Sequence, residues 1–79
     1  MGVADLGRLR WRCRRGMKEL DVLLERWLAT AAPAASEAEI ATFERMLDLQ
    51  DPELVRYLLA GEIPADPEFA LLAARLRSF

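Results

Sequence analysis

The stretch LGRLRWRCRRGMKELDVLLERWLATA, running from Leu6 to Ala31, decides the fold. Ahead of Gly16, the residues Leu6, Leu9 and Cys13 recur three and four positions apart, a spacing that gathers them on one face of a helix. Met17 follows in the same register. Beyond it Leu20, Leu24, Trp27, Leu28 and Ala31 repeat the pattern. β-Branched residues are sparse and no strand-like alternation appears. The spacing predicts one helix from about Asp5 to Arg14 and a second from Met17 to Ala32. Gly16 is the natural stop between them, because glycine alone enters the left-handed conformation without steric cost. Pro33 closes the second helix.

Outward from this stretch the punctuation stays helical. Ser36 with Glu39 three residues later is a capping box that opens a third helix, its inner side made by Ile40, Phe43, Met46 and Leu47. Asp51-Pro52 and Asp66-Pro67 each read as an N-cap followed by proline at the first helical position. They open a fourth helix (Leu54, Val55, Leu58, Leu59), ended by Gly61, and a fifth (Phe69, Leu72, Ala73, Leu76). The expected fold is all-α, a compact bundle of about five short helices in a single domain over residues 1–79.

With 53% hydrophobic and 30% charged residues, the composition is that of a globular chain. No apolar run approaches the roughly 20 residues that span a bilayer, so no membrane insertion is expected. Cys13 is the lone cysteine and histidine is absent. An internal disulfide, a Ser-His-Asp triad and a Cys-His pair are therefore excluded within one chain. A zinc site would need mostly carboxylates. No Gly-rich phosphate loop accompanies the acids, and enzyme readings fall accordingly. The Arg-rich start resembles a transit peptide but runs straight into helical core positions, and no secretory signal is visible. The mature chain is expected to begin near Met1, in a reducing cytoplasm.

Charge is segregated although the net value is only −2. Arg8, Arg10, Arg12, Arg14, Arg15 and Lys18 follow one another without an acid between them. From Glu37 to Glu68 acids predominate, with Arg45 and Arg56 among them. On a wheel of about 100° per residue, Arg8, Arg12 and Arg15 oppose the Leu6/Leu9/Cys13 side, and Trp11 lands beside Arg8 and Arg15. Such a tryptophan either lies across a neighbouring helix, stacked with an arginine, or anchors a partner, and the two readings are compatible. Gly16 is a helix cap that also exposes backbone to close approach. Glu19 suits the first turn of a helix on dipole grounds alone, and Asp21 is expected to be solvated. Cys13, Trp27, Phe43 and Phe69 read as core; Tyr57 stays open between core and surface.

The run Arg8-Leu9-Arg10-Trp11-Arg12-Cys13-Arg14-Arg15-Gly16-Met17-Lys18-Glu19-Leu20-Asp21 resembles the hallmark of the SdhE family, also called YgfY or succinate dehydrogenase assembly factor 2. Its core is Arg-Gly-x-x-Glu within Cys-Arg-Arg-Gly-x-x-Glu-Leu-Asp. Phe43, Leu47, Asp51-Pro52-Glu53-Leu54, Gly61 and Pro64-Ala65-Asp66 extend the resemblance along nearly the whole chain. It implies a five-helix bundle that is not an enzyme. The bundle would bind the flavoprotein subunit of succinate dehydrogenase, or of the related fumarate reductase, and promote covalent attachment of FAD to a histidine there. FAD is then the partner's cofactor, with none held stably by this chain. Arg15, Gly16 and Glu19 would form an exposed contact motif, flanked by Trp11, Arg14, Asp21 and Arg8. The Ala-rich Ala29–Ala35 segment departs from the acidic loop common in the family, and Phe79 ends the chain without the usual charged tail. A monomer is implied, with a dimer left open.

One rival is a small nucleic-acid-binding or antitoxin-like module using the Arg8–Arg15 helix against phosphates. The acidic remainder opposes it, and no second helix offers base-reading side chains.

Overall fold

The computed structural model describes residues 3–78, with side chains from Leu6 onward; Met1 and Phe79, where the expectations about the chain's two ends fall, lie outside the described residues. Five α-helices follow one another and no strand occurs among the described residues. They are α1 (Val3–Arg12), α2 (Lys18–Thr30), α3 (Glu37–Leu47), α4 (Asp51–Leu54) and α5 (Pro67–Arg77). A 3₁₀ turn, Ala32–Ala34, follows α2, and α4 continues into a π-helical turn, Val55–Leu59. The all-α expectation holds. No helix among the described residues is long and apolar enough to cross a membrane.

Two of the three predicted starts are as expected. The Ser36 hydroxyl accepts the Glu39 N–H at 3.1 Å while the Glu39 carboxylate accepts the Ser36 N–H at 2.9 Å. That contact, together with Arg75, holds the Glu39 carboxyl below its ordinary range. Asp66 Oδ1 accepts from the Glu68 N–H at 2.8 Å, with Pro67 in the first turn. The third start differs. Gln50, not Asp51, is the N-cap of α4, and its N–H donates to the Glu53 carboxylate at 3.1 Å. Asp51 is inside the helix, which leaves its carboxylate available to another element.

α1 has the predicted length but is set two residues earlier, ending at Arg12, and α2 is shorter than predicted, ending at Thr30. Pro33 sits within the 3₁₀ turn. Leu9, Cys13, Leu20, Leu24, Trp27, Phe43, Met46, Leu54 and Leu76 are the largest fully buried side chains. Trp27 stacks on Phe43 with centroids 4.5 Å apart, joining α2 to α3 at the centre. Phe69 is only half-buried, capped by the Arg45 guanidinium at 4.9 Å from its ring centroid. Tyr57 is likewise half-buried. Its carbonyl accepts from Arg77 at 2.8 Å, tying the end of α5 to the π turn.

Cys13 is sealed in the core, and burial above all, then the Glu25 charge, pushes its thiol up from 9.0 to about 12. The folded protein therefore keeps a proton that the unfolded chain releases near pH 9. The resulting stabilisation is complete below that pH and is lost as pH rises toward 12. Urea unfolding of the wild type and a Cys13→Ala variant should diverge across this window, the wild type weakening by up to about 1.4 kcal/mol per pH unit more. Parallel pH profiles would show that the thiol is not protected.

Candidate functional site

The junction of α1 and α2 is built by two side chains, one reaching back and one reaching across. Asp21, in the first turn of α2, accepts the Arg15 N–H at 2.8 Å and the Gly16 N–H at 3.3 Å. The turn these bonds close needs a positive φ, and Gly16 supplies +87°. Asp21 is thus half-buried and committed to its own backbone, which corrects the expectation of a solvated flanking contact. Its place in the first turn is what lets its carboxylate fold back over the preceding residues.

Arg15 spans from this junction to the one between α3 and α4. Its Nε donates to Asp51 Oδ1 at 2.9 Å, Nη1 to the carbonyls of Arg12 at 3.1 Å and Leu47 at 3.0 Å, and Nη2 to the Leu49 carbonyl at 2.6 Å. These four bonds use all but one of the guanidinium N–H groups. They also place a cation at the C-terminal ends of α1 and α3, where helix dipoles favour it. Only 15% of the Arg15 side chain is exposed. The expectation that Arg15 belongs to an exposed contact motif is therefore corrected: the fold itself occupies this side chain.

Gly16 and Glu19 remain on the outside. Glu19 is exposed in the first turn of α2, and among the described residues it forms no ion pair. A Cβ added at Gly16 would meet nothing within 4 Å, so the backbone there is open to an approaching molecule. Beside Glu19 runs a shallow groove lined by Met17, Lys18, Val22, Leu23 and Leu59. Met17, Val22 and Leu59 are 38%, 42% and 38% exposed, so apolar side chains line the groove at the surface. The sequence reading placed Met17 and Leu59 in the core and passed over Val22. The available signal was Val22 itself, an apolar residue nearly opposite the Leu20/Leu24/Trp27 stripe.

Trp11 is 77% exposed, so it does not lie across a neighbouring helix, and no arginine stacks on it among the described residues. Arg8 and Arg14 are also exposed, Arg14 with Glu25 at 3.9 Å. Arg12, by contrast, pairs with Asp48. Two of the arginines offered to phosphates by the nucleic-acid reading, Arg12 and Arg15, are thus engaged by Asp48 and Asp51.

Taken together, the fold and site define a small all-helical protein with a braced helix junction that presents a glycine, a free carboxylate and an apolar groove outward. A family model described as the flavinator of succinate dehydrogenase matches residues 7–79. The chain is 47% identical to the FAD assembly factor SdhE of Xylella fastidiosa over 75 residues, covering 95% of this chain and 77% of that one. Against the SdhE of Methylococcus capsulatus the identity is 50% over 76 residues, covering 96% and 92%. Against that of Shewanella oneidensis it is 36% over 77 residues, covering 98% and 94%. The chain belongs to the SdhE family of FAD assembly factors.

Proposed function

We propose that this chain docks on the flavoprotein subunit of succinate dehydrogenase and promotes covalent attachment of FAD to it, without a catalytic group of its own. Fumarate reductase is the second partner in this reading, the cytoplasm the compartment and the monomer the working form. The observation that carries it is the outward presentation of Gly16 and Glu19 next to the Met17/Val22/Leu59 groove, on a junction held rigid by Arg15 and Asp21. In this reading Trp11 and Arg8 on α1, with Arg14 just beyond its end, flank this surface. An apolar centre with a charged rim is the usual anatomy of a protein interface.

The chemistry asks little of the docking protein. A histidine of the partner must come against the methyl carbon of the flavin ring, and positioning alone lowers such barriers by several kcal/mol. A rigid bundle gripping the partner supplies that restraint. FAD stays with the partner throughout.

Glu19→Lys and Val22→Glu test the surface. Both positions are exposed, so melting temperatures should stay within about 3 °C of wild type. Co-expressed with the flavoprotein subunit, each variant should lower covalent flavin, read by fluorescence of the denatured subunit, by about tenfold or more. Full flavinylation by both would reject this surface.

A further inference from the structure

α1 carries a glycine that its own fold does not require. Gly7 lies in the middle of the helix, its φ is not positive, and a Cβ there would meet nothing within 4 Å. Glycine is among the poorest residues for a helix interior, so alanine would serve the isolated helix better. Gly7 is one turn ahead of Trp11 on the same side of the helix, and no side chain, the indole included, covers the place its Cβ would take. The result is a slot lined by Gly7, Arg10, Trp11 and Arg14. Trp11 sits at the crest of the solvent face, opposite Leu9 and Cys13. Arg8 and Arg10 make no ion pair among the described residues, and Arg14 has only the long contact to Glu25. From Leu6 to Lys18 the sequence contains no acid.

We propose that this slot seats an acidic polypeptide segment, whose backbone passes close to α1 at Gly7, whose apolar part lies on the Trp11 indole and whose carboxylates meet Arg8, Arg10 and Arg14. A missing side chain permits close approach, an exposed indole gives a large flat contact, and guanidiniums, those of Arg8 and Arg10 unpaired among the described residues, select carboxylates. Nucleic acid fits less well, because the whole chain is net negative and two neighbouring arginines are already paired. The segment's owner, the flavoprotein subunit, rests on the function proposed above; the slot's preference for acidic polypeptide does not.

The discriminating variants are Gly7→Ala and Gly7→Leu in the full chain, with Trp11→Ala and Arg10→Glu beside them. Because the added side chain has open space and improves the helix, both Gly7 variants should melt at or above the wild-type temperature, by roughly 2–6 °C. Binding to purified flavoprotein subunit should nevertheless weaken, by about tenfold or more for Gly7→Leu and Trp11→Ala. Arg10→Glu should weaken it and flatten its dependence on salt between about 50 and 200 mM. Wild-type affinity in Gly7→Leu overturns the proposal. If the wild-type chain itself fails to bind the subunit, the docking function fails. The slot is then judged with an octaglutamate peptide, an octalysine peptide and a short DNA duplex, read by emission of the exposed Trp11. A response to octaglutamate that Gly7→Leu abolishes supports it. No response, or an equal response to DNA, overturns it.

Discussion

Methionine in place of Arg15 should cost the fold about 2–4 kcal/mol, a large share of what a domain of this size possesses. The variant keeps the aliphatic stem but leaves the carbonyls of Arg12, Leu47 and Leu49 without their donor, and Asp51 without its cation. Unsatisfied, partly buried acceptors, more than the lost attraction to a partly exposed Asp51, set the size of the effect. For a chain of this length the melting temperature should fall by roughly 12–24 °C. Arg15→Lys should recover only part of the loss, since an ammonium is a point donor and cannot fork to carbonyls on two sides. Thermal denaturation of both variants checks this. A loss of flavinylation in Arg15→Met with an unchanged melting temperature would instead make Arg15 a contact residue, against its burial.

The second large effect separates turn from contact at Gly16. Gly16→Asn should fold almost as well as wild type, because asparagine tolerates positive φ and meets nothing there. Gly16→Arg should lose about 1–2 kcal/mol to backbone strain, or roughly 6–12 °C. If a partner's backbone rests on this glycine, both variants should lower covalent flavin by about tenfold or more, despite their different stabilities. If Gly16 serves only the turn, Gly16→Asn will flavinylate normally. Covalent flavin fluorescence and melting curves on the same preparations distinguish the two.

These residues also show where sequence could be read and where it could not. Local chemistry was legible: the Ser36/Glu39 box and the Asp66-Pro67 cap are formed by atoms only a few residues apart. The wheel put Trp11 on the outer face, and the structure has it there. Errors came where the wheel was carried past the helix. Arg15 lies beyond the last residue of α1, and Met17 beyond the reversal at Gly16, so the periodicity that placed them no longer applied. Asp51-Pro52 looks the same in sequence as Asp66-Pro67, yet the Asp51 carboxylate is taken by an arginine 36 positions away. Nothing within a short window announces that pairing. The π-helical winding that leaves Leu59 partly exposed in the groove is equally silent, since its composition is that of any apolar helical turn.

Salt sets how far this molecule's electrical character reaches. The longest dimension is 31 Å, whereas screening at physiological ionic strength acts over about 8 Å. An approaching molecule therefore feels the nearest pole and not the overall sum. With Asp48 and Asp51 already neutralised by Arg12 and Arg15, the outer side of the first helix is locally positive on a protein that is negative in total. Such an imbalance turns an incoming body before the two meet, so that productive encounters are favoured by orientation even when net attraction is absent.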